Sequence, residues 1–160
     1  MKLSPSKILN AKSFKKEPRL LLIVSRFNET VCQGLKEGAV KFLKELGFKN
    51  EPDIIRVPGA FEMPLAALKL NSKKNYDGII CLGAVIRGQT AHFEYICQAV
   101  SYGLMKVNLK TGIPVGFGVL TTNDEEQAIA RSLDNEHNKG REATQAVLEM
   151  IGLLGGGDNG

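Results

Sequence analysis

Two stretches of this chain are apolar almost without interruption, and that property limits the folds open to it. Residues 20–24 read Leu-Leu-Leu-Ile-Val, and residues 78–86 read Gly-Ile-Ile-Cys-Leu-Gly-Ala-Val-Ile. A strand with one face in water alternates apolar and polar residues. A strand covered on both faces does not, and such strands belong to parallel sheets flanked by helices. Both runs are also far too short to span a bilayer.

The punctuation around these runs gives a regular order. After a first strand over 20–25, Asn28 is placed to cap a helix whose apolar positions Val31, Leu35, Ala39, Phe42 and Leu46 recur at helical spacing until Gly47 stops it. A second strand over 53–57 turns at Pro58-Gly59 into a helix through Met63, Leu65, Ala66, Leu68 and Leu70. Asn75-Tyr76-Asp77-Gly78 then leads into the third strand. A helix over 92–109 ends at Thr111-Gly112, a fourth strand covers 114–121, and helical patterns follow over 124–133 and 139–154. Strictly alternating strands and helices require right-handed crossovers. The expected fold is α/β: a three-layer αβα, flavodoxin-like, doubly wound four-stranded parallel sheet. One domain over 19–154 is expected, with an N-terminal arm (1–18) and a low-complexity, mobile glycine-rich tail (155–160).

Charge and cysteines narrow the partners. The 160 residues carry a formal charge of +4, but the first nineteen hold six basic groups against Glu17, leaving fifteen basic and sixteen acidic groups elsewhere. Nucleic-acid binders spread positive charge over a folded face, so no nucleic-acid partner is expected. Cys32, Cys81 and Cys97 form no Cys-x-x-Cys pair or metal spacing and read as reduced, buried thiols. Without an apolar signal segment or a spanning run, a cytoplasmic protein with no membrane contact is expected.

Ligands of doubly wound sheets gather at the carboxyl ends of the strands. That rule selects four loops: Arg26-Phe27-Asn28, Pro58-Gly59-Ala60-Phe61-Glu62, Arg87-Gly88-Gln89-Thr90-Ala91-His92 and Thr121-Thr122-Asn123. In the third, Gly88 permits close approach to the backbone, the first amides of the next helix lack helical partners, and the dipole favours an anion. A phosphate site beside the proton-transfer group His92 is the hypothesis, against a plain turn with a structural histidine. Phe27 and Asn28 suit stacking and hydrogen bonding of a heterocycle, and equally suit an ordinary staple and cap. Glu62 suits hydroxyl groups or a helix first turn. Arg131, Lys139 and Arg141 suit a phosphate or carbonyl, or solvent. His137 reads as an exposed loop histidine.

Over residues 19–151 the chain resembles the lumazine synthase family of riboflavin biosynthesis. The resemblance rests on Arg26-Phe27-Asn28, Val57-Pro58-Gly59-Ala60-Phe61-Glu62-Met63-Pro64, Gly83-Ala-Val-Ile-Arg-Gly-Gln-Thr-Ala-His92, Phe117-Gly118-Val119-Leu120-Thr121 and Asn138-Lys139-Gly140, in that order. It implies condensation of 5-amino-6-(D-ribitylamino)uracil with 3,4-dihydroxy-2-butanone 4-phosphate, releasing phosphate and water to give 6,7-dimethyl-8-ribityllumazine, with no metal or redox cofactor. The resemblance implies that Phe27 stacks on the pyrimidine. Asn28, Gly59, Ala60, Phe61 and Glu62 hold the ring and ribityl chain, and Val85 and Ile86 offer backbone contacts. Gly88, Gln89 and Thr90 bind phosphate with Arg131, and His92 carries protons. Phe117, Arg131 and Lys139 come from an adjacent subunit. A homopentamer is implied, alone, as a decamer or as an icosahedral capsid of sixty copies, and the resemblance leaves open whether riboflavin synthase is a partner. The segment 132–137 is more acidic than is usual in the family, although the spacing from Arg131 to Lys139 is kept. Two rival readings are a non-catalytic flavin- or phospholigand-binding module and a structural shell protein. The first lacks a glycine- and hydroxyl-rich first loop, and the second has no reason to retain His92 and Arg131.

Overall fold

A computed structural model describes residues 10–155. Residues 1–9 of the expected arm and 156–160 of the expected tail lie outside the described residues. The strands β1 Leu20–Ser25, β2 Asp53–Val57, β3 Gly78–Ile86 and β4 Val115–Thr122 pair in parallel in the order β2-β1-β3-β4. The helices are α1 Glu29–Glu45, α2 Met63–Lys74, α3 His92–Thr111, α4 Glu125–Ala130 and α5 Lys139–Leu154. This is the expected three-layer, doubly wound α/β architecture.

The uninterrupted runs are explained by the packing. All six residues of β1 are buried, and the first five alternate between two cores. Leu20, Leu22 and Val24 meet Leu35, Ala39 and Leu43 of α1 and Val147 and Leu148 of α5. Leu21 and Ile23 meet Met63 and Ala67 of α2 and Val100, Leu104 and Val107 of α3. Each such Leu, Ile, Val or Met side chain stabilises the fold by about 1.5–3 kcal/mol relative to exposure. Gly47 at φ +82° ends α1 with the left-handed backbone that glycine adopts without strain. Among the described residues no helix is long and apolar enough to cross a membrane.

Several local expectations change. Asn28 occupies the N-cap position of α1 in a left-handed conformation (φ 55°, ψ 52°), and its side chain makes no capping bond. The amide group is used elsewhere, as described below. The helix after β4 ends at Ala130, short of 133, because the Ser132 N–H and hydroxyl both donate to Ile129 O and close the last turn tightly. Cys32 and Cys81 are buried, but Cys97 is only partly so. Residues 10–18 fold onto their own chain. The Ala11 N–H donates to Leu46 O, Phe14 packs on Phe48 with ring centroids 5.9 Å apart, and the Glu17 carboxylate accepts the Lys49 and Asn50 N–H groups.

Candidate active site

The switch point of the sheet lies between β1 and β3, since β1 continues to β2 on one side and β3 continues to β4 on the other. Crevices at such points receive ligands. The Asn28 side chain spans this one, its Nδ2 donating to Ala84 O of β3 at 2.9 Å. The left-handed backbone that asparagine tolerates thus aims the amide across the crevice rather than back at its own helix.

Beside it, the β1–β2 pairing continues past the strands, with Arg26 N–H donating to Val57 O and Phe27 N–H to Pro58 O. The Cys32 thiol donates to Phe27 O from below at 3.2 Å. Burial pushes that thiol up to about 11, so it serves as a neutral donor. Phe27 is 69% exposed, and its ring lies over Gly59, where an added Cβ would meet Phe27 Cδ2 at 2.9 Å. Glu62 closes the same turn, its Oε2 accepting the Gly59 N–H at 2.9 Å. Glu62 therefore caps a short 3-10 turn, Ala60–Glu62, through this one bond, rather than serving as a first-turn acid of α2. That turn packs against β3 and α3, which brings exposed Phe61 and Glu62 toward the third loop.

In the third loop, Val85 and Ile86 end β3, and Gly88, Gln89, Thr90 and His92 are all exposed. His92 is the first residue of α3, and its N–H donates to Thr90 Oγ1 at 3.4 Å. Among the described residues, the amides of Gly88, Gln89 and Thr90 make no bond within the chain. Three successive open donors at the start of a 20-residue helix are suited to an anion. Arg87 closes the loop from the other side through Asn123, Glu94 and the Phe93 ring.

The remaining predicted residues lie elsewhere in the chain. Phe117 pairs in register with Cys81 and is exposed at the β4 edge, five residues before Thr122. At about 3.3 Å per residue it sits about 16 Å from the strand exit. Arg131 is exposed at the end of α4, with Nη1 donating to Gln127 O at 2.9 Å. Lys139 opens α5, its N–H donating to Arg131 O and its ammonium to Glu142 Oε2 at 2.6 Å. His137 is exposed, with Nε2 3.4 Å from Glu136 Oε1.

The residue that positions Arg131 and Lys139 is Asn138, which carries no role in the sequence reading beyond its place in a motif. It is fully buried. Its Oδ1 accepts the Gly140 and Arg141 N–H groups, and its Nδ2 contacts the carbonyls of Gly34, Ser132 and Leu133 at 2.9–3.1 Å. Gly38 of α1 makes room for it, since a Cβ there would lie 2.2 Å from Asn138 Oδ1. The helical glycines Gly34 and Gly38, four residues apart, were the available signal.

A family model described as 6,7-dimethyl-8-ribityllumazine synthase matches residues 17–155. The chain belongs to this family. It is also 50% identical over 138 residues to 6,7-dimethyl-8-ribityllumazine synthase 1 of Caulobacter vibrioides, a match that covers 86% of this chain and 90% of the relative. The lumazine synthase assignment thus spans the whole sheet, every loop at its carboxyl edge, and the α4–α5 connection.

Proposed function

We propose that the carboxyl ends of β1, β2 and β3 condense 5-amino-6-(D-ribitylamino)uracil with 3,4-dihydroxy-2-butanone 4-phosphate, and that a second copy of the chain completes the site. Family membership makes the chain a transferase of riboflavin biosynthesis that forms 6,7-dimethyl-8-ribityllumazine. The observation that carries the site assignment is the row of open amides at Gly88, Gln89 and Thr90, one turn from His92 and across the crevice from the exposed Phe27 ring.

In this reading Phe27 stacks on the pyrimidine, and Asn28 with residues 59–62 holds the ring and ribityl chain. The Gly88–Thr90 amides hold the phosphate. His92 accepts and returns protons as the amine adds to the ketone, water leaves to form the imine, and the phosphate is eliminated. Most of the acceleration comes from holding amine and ketone in reacting geometry, which is worth on the order of 7 kcal/mol. Acid–base help from a histidine adds about 100-fold.

Phe117, Arg131 and Lys139 enter from the neighbouring copy. Two observations support this. Phe117 lies too far back on β4 to reach its own chain's crevice, and α3 presents Tyr95, Tyr102 and Leu109, at 69%, 65% and 80% exposure, on one unpartnered face. A row of large apolar side chains of this kind marks an interface. The assembly is a homopentamer, alone or as the unit of an icosahedral capsid.

The test is steady-state formation of the lumazine, followed by its fluorescence against an enzyme-free control. A rate well above the control is expected. A rate equal to it, from folded and assembled protein, would overturn the proposal.

A further inference from the structure

Arg87 stands in the middle of the third loop, and none of the roles above uses it. Its backbone N–H donates to Thr122 O at 2.9 Å, extending the β3–β4 pairing past the strands. Its side chain then ties three elements together. Nε donates to Asn123 Oδ1 at 3.1 Å, Nη1 donates to Glu94 Oε1, and the guanidinium lies over the Phe93 ring at 4.3 Å from its centroid. Asn123 follows β4, whereas Phe93 and Glu94 belong to the first turn of α3. Between these anchors lie Gly88, Gln89 and Thr90, whose amides make no bond within the chain among the described residues. The hydrogen bond from Arg87 lowers the Glu94 carboxyl from its ordinary value, so the pair is charged at neutral pH.

We infer that Arg87 is a positioning residue, not a phosphate ligand: its planar fork fixes the first turn of α3 against the end of β4 and thereby holds the Gly88–Thr90 amides convergent on the phosphate of the butanone substrate. This deepens the proposed function and rests on it. A guanidinium bonded along two edges and stacked on its face has a defined orientation that a lysine ammonium cannot reproduce. The charge on Glu94 is part of the device, because it draws Arg87 toward α3 and away from the anion.

That last point separates positioning from direct binding. If Arg87 bound the phosphate itself, neutralising Glu94 would release it and tighten binding or leave it unchanged. If Arg87 acts through Glu94, losing either residue loosens the loop. The experiment measures kcat and both KM values for Arg87→Gln, Arg87→Lys, Glu94→Gln and the double variant Arg87→Gln/Glu94→Gln. It adds hydrogen exchange of the 88–92 amides in the same assembled proteins without substrate. Arg87→Gln and Glu94→Gln are each expected to raise KM for the phosphorylated butanone about tenfold, the size of one charge-assisted hydrogen bond. KM for the ribitylaminouracil stays at the wild-type value, Arg87→Lys fails to rescue, and the double variant is no worse than either single one. Exchange of the 88–92 amides is faster in every variant.

A wild-type KM in Glu94→Gln beside a raised KM in Arg87→Gln would make Arg87 a direct ligand and overturn the inference. Unchanged exchange in both single variants would overturn it as well. Wild-type protein without lumazine formation would refute the proposed function instead, while the exchange measurement would still decide whether Arg87 orders the loop.

Discussion

Replacing Asn138 should uncouple the α4–α5 connection from the rest of the molecule, and the cost follows from its bonds. Asn138→Ala removes the N-cap of α5, for which about 1 kcal/mol is typical. It also removes the Nδ2 group, whose two protons serve the carbonyls of Gly34, Ser132 and Leu133. Each lost bond that leaves a buried carbonyl unpaired costs about 1 kcal/mol or more, so the total is about 3 kcal/mol. For a chain of this length that lowers Tm by about 6–12 °C, measured at fixed protein concentration so that the proposed assembly contributes equally to each variant. Asn138→Ser keeps a capping oxygen but cannot reach the carbonyls, so it should recover about 1 kcal/mol of the loss. Asn138→Asp keeps the cap but turns a carboxylate oxygen toward three carbonyls, so it should be no better than alanine. Thermal unfolding of the three variants gives the order. An Asn138→Ala variant within a degree or two of the wild type, or an aspartate variant as stable as the wild type, would refute the claim that the donated bonds hold this connection.

Other consequences concern the site and the base of the sheet. His92→Ala should lower kcat about 100-fold without abolishing turnover, whereas Arg131→Ala should chiefly raise KM for the phosphorylated substrate; steady-state kinetics with each substrate varied separates the two, and total loss in a folded histidine variant would contradict the emphasis on orientation. Gly59→Ala should displace the Phe27 ring, because its Cβ would sit 2.9 Å from Phe27 Cδ2, and should raise KM for the ribitylaminouracil with little change in KM for the butanone. Tyr76 donates to Asp53 Oδ2 at 2.5 Å, and that bond, ahead of Lys74 and Arg19, holds the Asp53 carboxyl below its usual range. A depressed carboxyl pKa stabilises the fold above the unfolded value of about 4 and loses that contribution as pH falls through the folded value. Urea unfolding should therefore show Tyr76→Phe less stable than wild type at neutral pH, with the gap narrowing in acid; a gap that widens in acid would reverse the argument.

The features legible in the sequence were those that a single element expresses by itself. The unbroken run at 20–24 announced a strand covered on both faces because Leu21 and Leu22 do meet helices on opposite sides. The loops at the carboxyl edge followed from the order of the elements, and their residues from the motif match. What the sequence left open depends on pairs distant along the chain. Asn28 looked like a cap because asparagine before a helix commonly is one, but its amide bonds Ala84, 56 residues away. The partners of Arg87 lie in two other elements, and Asn138 finds a cradle in the glycines of α1, 100 residues upstream. Phe117 carried no sign that its strand position keeps it from the crevice of its own chain, since only the register of β4 against β3 reveals that distance.

The central claim is that two copies of the chain build each site, one giving the His92 loop and the other Arg131. Its most direct test is complementation: His92→Ala and Arg131→Ala chains are unfolded together, refolded as mixed assemblies, and assayed for lumazine formation at phosphorylated butanone well below the wild-type KM, beside each variant refolded alone. Random pairing across head-to-tail interfaces leaves about a quarter of the sites with both residues intact, so the mixture should recover about a quarter of the wild-type rate. A mixture no faster than the average of the two variants alone, with mixed assembly verified, would mean that His92 and Arg131 act from the same chain and would contradict the account.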